Sequence, residues 1–297
     1  MISLRDLTVS YGDTIAVDGL TLDLAPGKIY GLLGRNGSGK TSLLSVLAAY
    51  RKASGGTVAI GGVDPFENAA LMRDTVFIRD SLDVSEQDRI CRVLELAGRL
   101  RPCWDAGYAD RLVDVFELHR RKRVSALSRG QRSSLGVILG LAARAPLTIL
   151  DEAYLGMDAA ARKAFYRELL ADYLAHPRTI ILSTHLIEEV ADLLEQVIVI
   201  DHGRLVVHED TDTFRARGVA VTGPAGAVEA FVAGRTVLSQ QSLGGVREAT
   251  LYGALDDADA ARARAAGLTL APVGVQDLFI HLTSGADDGT RRTEALR

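Results

Sequence analysis

One stretch of the chain combines glycines, a lysine and a threonine at the spacing that binds phosphate groups. It follows a short apolar run, residues 28–33, and leads into an apolar segment, residues 41–49, that predicts a helix. Glycines let successive backbone N–H groups turn around an anion, and the start of a helix adds the positive end of its dipole. We therefore predict a phosphate-binding loop in which Lys40 reaches the outer phosphates and the Thr41 hydroxyl ligates Mg²⁺. The predicted nucleotide contacts are Gly34, Arg35, Asn36, Gly37, Ser38, Gly39, Lys40, Thr41 and Ser42.

A pair of acidic residues forms a second chemical feature. Asp151 and Glu152 directly follow the apolar run 147–150, which predicts a short buried strand. A carboxylate at a strand end can hold the magnesium of a bound nucleotide, and its neighbour can polarise a water molecule. Adjacent carboxylates repel each other unless a cation lies nearby, which favours a catalytic interpretation. We assign Asp151 to the metal and Glu152 to activation of water.

The elements around these residues alternate between strands and helices. Strands without polar alternation predict a parallel sheet that helices cover on both faces. At the N-terminus, residues 2–10 and 16–24 predict two strands joined by a turn at Tyr11. Apolar spacing also predicts helices over residues 65–73 and 186–194.

The pattern changes near Gly218. From there to residue 273 the elements follow the order β-α-β-β-α-β, which is typical of a ferredoxin-like domain. We therefore divide the chain into a first domain, residues 1–217, with a helical insert at about 80–143, and a small second domain, residues 218–284. The polar tail, residues 285–297, is predicted to be disordered.

Composition limits the classes of function. The chain has 297 residues, 47% of them hydrophobic, and a net charge of −4, so it can bury a sizeable core but offers no basic domain for a nucleic acid. No apolar run approaches the length of a membrane span, so we expect any membrane role to require a partner. Cys91 and Cys103 lack metal-ligand spacing, which predicts reduced thiols in a cytosolic protein.

A third motif lies between the phosphate loop and the acidic pair. Residues 127–131 read Leu-Ser-Arg-Gly-Gln at the start of a predicted helix, where the serine alone would indicate only a helix cap. As an ordered set, the three motifs resemble the ATP-binding subunit of ABC transporters, whose signature is close to LSGGQ. The resemblance covers residues 1–215. It implies an α/β fold of the P-loop NTPase type, with a mostly parallel sheet, an antiparallel β subdomain and a helical insert, followed here by the small α+β domain.

The resemblance also implies a site shared between two subunits. ATP and Mg²⁺ would lie between the phosphate loop of one subunit and the signature segment of the other, in a head-to-tail dimer. Tyr11 would stack on adenine, Asp158 would lie in the loop along the dimer seam, and His185 would contact the terminal phosphate. The signature segment consists of Ser128, Arg129, Gly130 and Gln131.

Four residues, at three places in the chain, depart from the family pattern. Arg129 replaces the first signature glycine, and Ala153 and Tyr154 replace the usual proline and threonine after the catalytic acid. After residues 75–78 the family usually has a glutamine that senses magnesium and links to the membrane subunit. Asp80 lies at or beside that position, so we treat it as a candidate metal ligand with a shorter reach and a full charge.

The leading hypothesis for the function is that the protein is an ATPase at the cytoplasmic face of the membrane. It would drive export through a separate integral permease. A segment at 102–105 and the segment 275–279 resemble subunits of ABC-2-type exporters. The cassette dimer could be a homodimer or a heterodimer, and no nucleic acid is expected as a partner.

One alternative is an ABC ATPase acting on ribosomes or DNA, which usually has two cassettes or a coiled-coil insert. The other is a regulatory cassette with little turnover, for which the altered loop at Asp80 is the only support.

Overall fold

The computed structural model describes residues 1–284, and the tail predicted to be disordered lies outside them. The chain forms two compact units. The first contains residues 1–185 and 193–208, and the second contains residues 186–192 and the chain from 209 onward. None of the helices within residues 1–284 combines the length and the apolar character needed to cross a bilayer.

The first unit contains two sheets. Strands β1 (Ile2–Tyr11), β2 (Thr14–Leu24) and β4 (Gly55–Ile60) form an antiparallel sheet in the order β2-β1-β4. The other sheet has the order β5-β6-β7-β3-β8-β9, and its pairs from β5 through β8 are parallel. Its strands are β3 (Ile29–Leu33), β5 (Thr75–Arg79), β6 (Leu147–Asp151), β7 (Thr179–Thr184), β8 (Gln196–Asp201) and β9 (Arg204–Asp210). Because β3, β6 and β7 are buried along their whole length, the sheet is covered on both faces, as predicted.

Helices α3 to α5 form the helical insert between β5 and β6. The helices of this unit are α1 (Lys40–Leu47), α2 (Ala69–Arg73), α3 (Ile90–Leu100), α4 (Ala106–Val115), α5 (Arg129–Ala142) and α6 (Ala159–Ala175). Helix α5 is buried from Ser133 to its end, which anchors its exposed N-terminus firmly. The parallel strands therefore end in loops that the surrounding helices hold in place.

Two helices are shorter than the sequence predicted. Helix α2 begins only at Ala69, because Glu67 has a left-handed φ of 56° and Asn68 caps the helix by accepting a hydrogen bond from the Leu71 amide. Helix α7 (Ile187–Val190) ends four residues before the predicted boundary at 194. Leu194 packs against Gly31 of β3 so closely that a Cβ there would collide with it. Packing onto the sheet therefore overrides the helical periodicity.

The second unit contains a four-stranded antiparallel sheet of order β11-β12-β10-β13. Between β10 and β13 the element order is the predicted β-α-β-β-α-β. Its core is formed by Val221, Val228, Ala249, Leu251 and Ala263. Besides α7, the elements are α8 (Thr211–Ala216), β10 (Gly218–Pro224), α9 (Ala225–Val232), β11 (Thr236–Leu243), β12 (Val246–Tyr252), α10 (Asp257–Ala265), β13 (Thr269–Pro272) and α11 (Val275–Ser284).

Candidate functional site

The phosphate loop connects β3 to α1 and has a backbone that requires glycine. Gly37 and Gly39 have φ values of 81° and 102°, in the left-handed region that other residues rarely adopt. A Cβ on Gly39 would also collide with the backbone carbonyl of Ala16. The loop is therefore fixed both by its own torsions and by its contact with β2.

The Lys40 side chain stabilises the phosphate loop through hydrogen bonds to its backbone. Its Nζ donates hydrogen bonds to the carbonyl oxygens of Gly34, at 2.6 Å, and Arg35, at 3.1 Å. Burial lowers the pKa of Lys40, while the nearby carboxylates of Glu152 and Asp151 act in the opposite direction. The ammonium group is thus already desolvated at the place where an anion would compensate it.

Thr41 and Asp151 provide oxygen atoms suited to magnesium. The Thr41 Oγ1 donates a 2.7 Å hydrogen bond to Asp151 Oδ2, and the buried Oδ1 of Asp151 has no partner among the described residues. Hydroxyl and carboxylate oxygens are the ligands that Mg²⁺ prefers, and this metal usually keeps several waters and phosphate oxygens. The donor set therefore fits a magnesium ion that a nucleotide shares.

Glu152 follows the end of β6 in an unusual backbone conformation. Its φ is 51°, and its amide donates to the carbonyl of Ser183 at the end of β7. A left-handed φ is uncommon for a residue other than glycine. Glu152 Oε1 lies 3.2 Å from His185 Nδ1. The cavity at the phosphate loop measures about 470 Å³ and is lined by Ala16, Asn36, Gly37, Ser38, Gly39, Lys40, Thr41, Ser42 and Glu152.

Tyr11 lies beside the phosphate loop at the end of β1. Its hydroxyl accepts a 3.3 Å hydrogen bond from Ser42 Oγ, and 46% of the residue is exposed. The guanidinium carbon of Arg51 lies 3.8 Å from the centroid of the Tyr11 ring. Arg51 was not predicted from the sequence, because its contact with Tyr11 joins segments forty residues apart.

The signature segment begins α5 with a complete capping box. Ser128 Oγ accepts from the Gln131 amide at 3.2 Å, and Gln131 Oε1 accepts from the Ser128 amide at 3.3 Å and from Lys122 Nζ at 2.9 Å. A Cβ on Gly130 would lie 2.8 Å from the carbonyl oxygen of Gly156. None of the four signature residues lines the phosphate-loop cavity, so this single chain does not bring the two motifs together at that cavity.

Two of the residues that depart from the family pattern bind each other. Arg129 Nη2 lies 2.9 Å from Asp80 Oδ2, and both side chains are exposed. One turn further along α5, Arg132 pairs with Glu86 at 2.8 Å. Since the Asp80 carboxylate is engaged with Arg129 in this structure, ligation of a metal by Asp80 would require that ion pair to open.

The loop between Glu152 and α6 is anchored by Tyr154, another residue that departs from the family pattern. Tyr154 is fully buried, stacks on Phe165 with ring centroids 5.7 Å apart, and is hydrogen-bonded through its hydroxyl to Thr184, next to His185. Asp158 caps α6 by accepting a 2.8 Å hydrogen bond from the Ala161 amide. The tyrosine therefore links the loops that carry Asp158 and His185.

Comparisons with known proteins show which family the chain resembles. Residues 17–155 match the family model described as ABC transporter. The chain is 32% identical over 212 residues to the Nod factor export ATP-binding protein I of Cupriavidus metallidurans, covering 69% of this chain and 70% of that protein. It is 33% identical over 218 residues to a putative ABC transporter ATP-binding protein of Halobacterium salinarum, covering 71% and 93%.

Solved structures show the same fold. One, described as the ATP-binding subunit of an ABC transporter, has a TM-score of 0.65 at 21% identity and covers 72% of this chain and 92% of its own. A dimeric ATP-binding cassette in a post-hydrolysis state with ADP and Pi has a TM-score of 0.63 at 19% identity and covers 71% and 99%.

Proposed function

Because this chain belongs to the family of ABC transporter ATP-binding proteins, we propose that it hydrolyses ATP to drive export through a separate membrane permease. The observation that carries the site assignment is the convergence of the phosphate loop, the Thr41–Asp151 hydrogen bond and Glu152 on one region of the first unit. An export role is supported by relatives named for Nod factor export and for daunorubicin resistance. The transported substrate is not specified by any residue of this site.

The positions of the residues support the following roles. The loop amides and Lys40 bind the phosphates, while Thr41 and Asp151 would hold the magnesium. When bound, magnesium neutralises charge that develops on the phosphate oxygens. Glu152 accepts a proton from the attacking water, and its contact with His185 orients the carboxylate. We assign His185 to contact with the terminal phosphate, because it lies beside Glu152.

The signature segment would complete the site in a second subunit. The N-terminus of α5 presents the positive end of the helix dipole, which can bind a phosphate group from the partner's nucleotide. Two nucleotides bound in this way favour the closed dimer, and their hydrolysis releases it. The dimeric neighbour with ADP and Pi supports this arrangement.

We propose that the permease binds in a groove beside the loop that carries Asp80. It measures about 290 Å³, lies between β5 and α3, and includes Phe77, Leu96 and Leu100. Leu96 and Leu100 are 45% and 61% exposed. An apolar permease segment would fit this surface. The chain would then be a peripheral protein at the cytoplasmic face of the membrane.

The second domain, residues 218–284, is proposed as a companion to the cassette of residues 1–217. Its sheet and core are separate from those of the first unit. We infer a role in dimerisation or regulation, because none of the residues assigned to nucleotide chemistry lies in it.

The decisive experiment is the substitution Glu152→Gln. It keeps the size of the side chain and removes the base, so ATP binding should persist while steady-state hydrolysis falls about a hundredfold or more. An ATP-dependent dimer should then accumulate, which light scattering measures. Glu67→Gln is a matched control because Glu67 also has a left-handed φ but does not line the phosphate-loop cavity. Normal turnover by the Glu152→Gln protein would contradict the assignment.

A further inference from the structure

Tyr11 offers only one of its ring faces to a ligand. The other face is covered by the guanidinium group of Arg51, whose carbon lies 3.8 Å from the ring centroid. At this distance the planar cation and the ring are in van der Waals contact, which is the geometry of a cation–π pair. Tyr11 nevertheless remains 46% exposed, so the free face is accessible.

Arg51 is itself held in place. Its Nη2 donates a hydrogen bond to the carbonyl of Ser10, the residue before Tyr11. The cation is therefore fixed relative to the β1 backbone and not only to the aromatic ring.

The far end of the ring is tied to the phosphate loop. Ser42 Oγ donates to the Tyr11 hydroxyl, and Ser42 directly follows Thr41 in α1. Arg51 lies just beyond the C-terminal end of the same helix. The ring is thus held at three points, by its backbone, by Ser42 and by Arg51, before any ligand is bound.

We propose that Arg51 is a positioning residue for the base of the nucleotide. It contacts one face of the Tyr11 ring and fixes the ring, so that a purine stacks on the other face. The guanidinium, the phenol ring and the base then form three stacked layers. The cation also draws electron density through the ring, which strengthens stacking with an electron-rich base. This inference rests on the proposed function, in which Tyr11 contacts adenine.

The test compares a ligand that has a base with one that has none. ATP and inorganic tripolyphosphate are titrated by calorimetry into the full chain carrying Arg51→Ala, Arg51→Lys, Tyr11→Ala or both alanine substitutions. Arg51→Ala should weaken ATP binding about three- to fivefold, as expected for a cation–π contact at an exposed site. Tyr11→Ala should weaken it about tenfold, as expected for loss of a stacking platform. Neither should change the affinity for tripolyphosphate.

The double variant shows whether Arg51 acts through the ring. If it does, Arg51→Ala has no further effect once Tyr11 is alanine. Arg51→Lys keeps the charge but loses the planar stack, so its ATP affinity should lie between those of the native chain and Arg51→Ala. This variant also carries the test if Arg51→Ala does not fold. Arg5→Ala is the matched control, since Arg5 is an exposed β1 arginine that pairs with Asp23.

Three results would overturn the inference. Equal losses for ATP and tripolyphosphate would mean that Arg51 supports the phosphate loop and not the base. A loss that persists in the Tyr11→Ala background would mean that it acts independently of the ring. Unchanged ATP affinity in Tyr11→Ala would remove the base site altogether, whereas the phosphate site and the role of Glu152 would still stand on tripolyphosphate binding and on the Glu152→Gln result.

Discussion

At the scale of single residues, the phosphate site is organised before a nucleotide arrives. Lys40 is buried against loop carbonyls, Asp151 holds the Thr41 hydroxyl, and Glu152 is kept in a left-handed conformation. Each of these arrangements costs free energy in the absence of a ligand, through desolvation, an unpaired oxygen or backbone strain. A triphosphate with its metal would relieve the first two costs, so part of the binding free energy is stored in the folded chain.

The ion pair between Asp80 and Arg129 leads to a prediction about metal dependence. Because Asp80 is engaged with Arg129, Asp80→Asn should leave the Mg²⁺ concentration for half-maximal ATPase activity within about twofold of the native value. Thr41→Ala removes a predicted ligand and should raise that concentration about tenfold or more. Steady-state ATPase assays over a range of magnesium concentrations measure both.

The charge-reversed protein with Asp80→Arg and Arg129→Asp is the control for this pair. It should recover most of the activity that either single reversal loses, because the pair is exposed and can form in the opposite sense. A large increase in the magnesium requirement of Asp80→Asn would instead make Asp80 a metal ligand.

At the scale of secondary structure, the sequence predicted the strands better than the loops. The runs at β6 and β7 are uniformly apolar because both faces of the sheet are covered, and their burial makes that signal strong. The conformation of the phosphate loop could also be predicted, because local backbone torsions require its glycines. The end of helix α7 could not be predicted, because Leu194 packs on Gly31 instead of continuing the helix. Contacts such as Arg51 on Tyr11 and Arg129 on Asp80 join distant segments, and no local pattern encodes them.

The close approach of α5 to the loop before α6 gives a prediction for Gly130. A Cβ at this position would lie 2.8 Å from the Gly156 carbonyl oxygen, and backbone cannot yield as a flexible side chain can. Gly130→Ala should therefore lower the free energy of unfolding by about 1–3 kcal/mol and reduce ATPase activity, because it moves the signature segment. Urea denaturation and a steady-state assay measure the two effects.

Gly107→Ala is the matched control. Gly107 is also the second residue of its helix, α4, and the nearest atom to an added Cβ is an Asp105 side-chain oxygen at 3.5 Å, an ordinary contact. This substitution should be neutral or slightly stabilising, because alanine favours helix more than glycine does. Equal behaviour of the two variants would show that the Gly130–Gly156 contact can relax.

At the scale of the whole molecule, the described chain contains two different halves of the proposed site, the phosphate loop and the signature segment. The phosphate loop and Glu152 line the cavity, whereas Ser128 caps α5 with its capping box already satisfied and does not line that cavity. In the proposed arrangement, a monomer would bind phosphate through one motif and leave the other unused. Two copies arranged head to tail would use all four half-sites, which is why we expect catalysis to depend on association.

Mixing two inactive proteins tests this dependence directly. Lys40→Ala removes the phosphate-binding ammonium, and Ser128→Arg replaces the helix cap with a bulky cation, so each protein alone should form dimers with two defective sites. In a mixed dimer, the phosphate loop of the Ser128→Arg subunit faces the intact signature segment of the Lys40→Ala subunit, which restores one site of two. Equal mixing puts half of the subunits in such dimers, so ATPase activity should recover to about one quarter of the native value if sites act independently. Activity that stays absent in the mixture, while each variant retains its native fold by circular dichroism, would argue against sites shared between subunits.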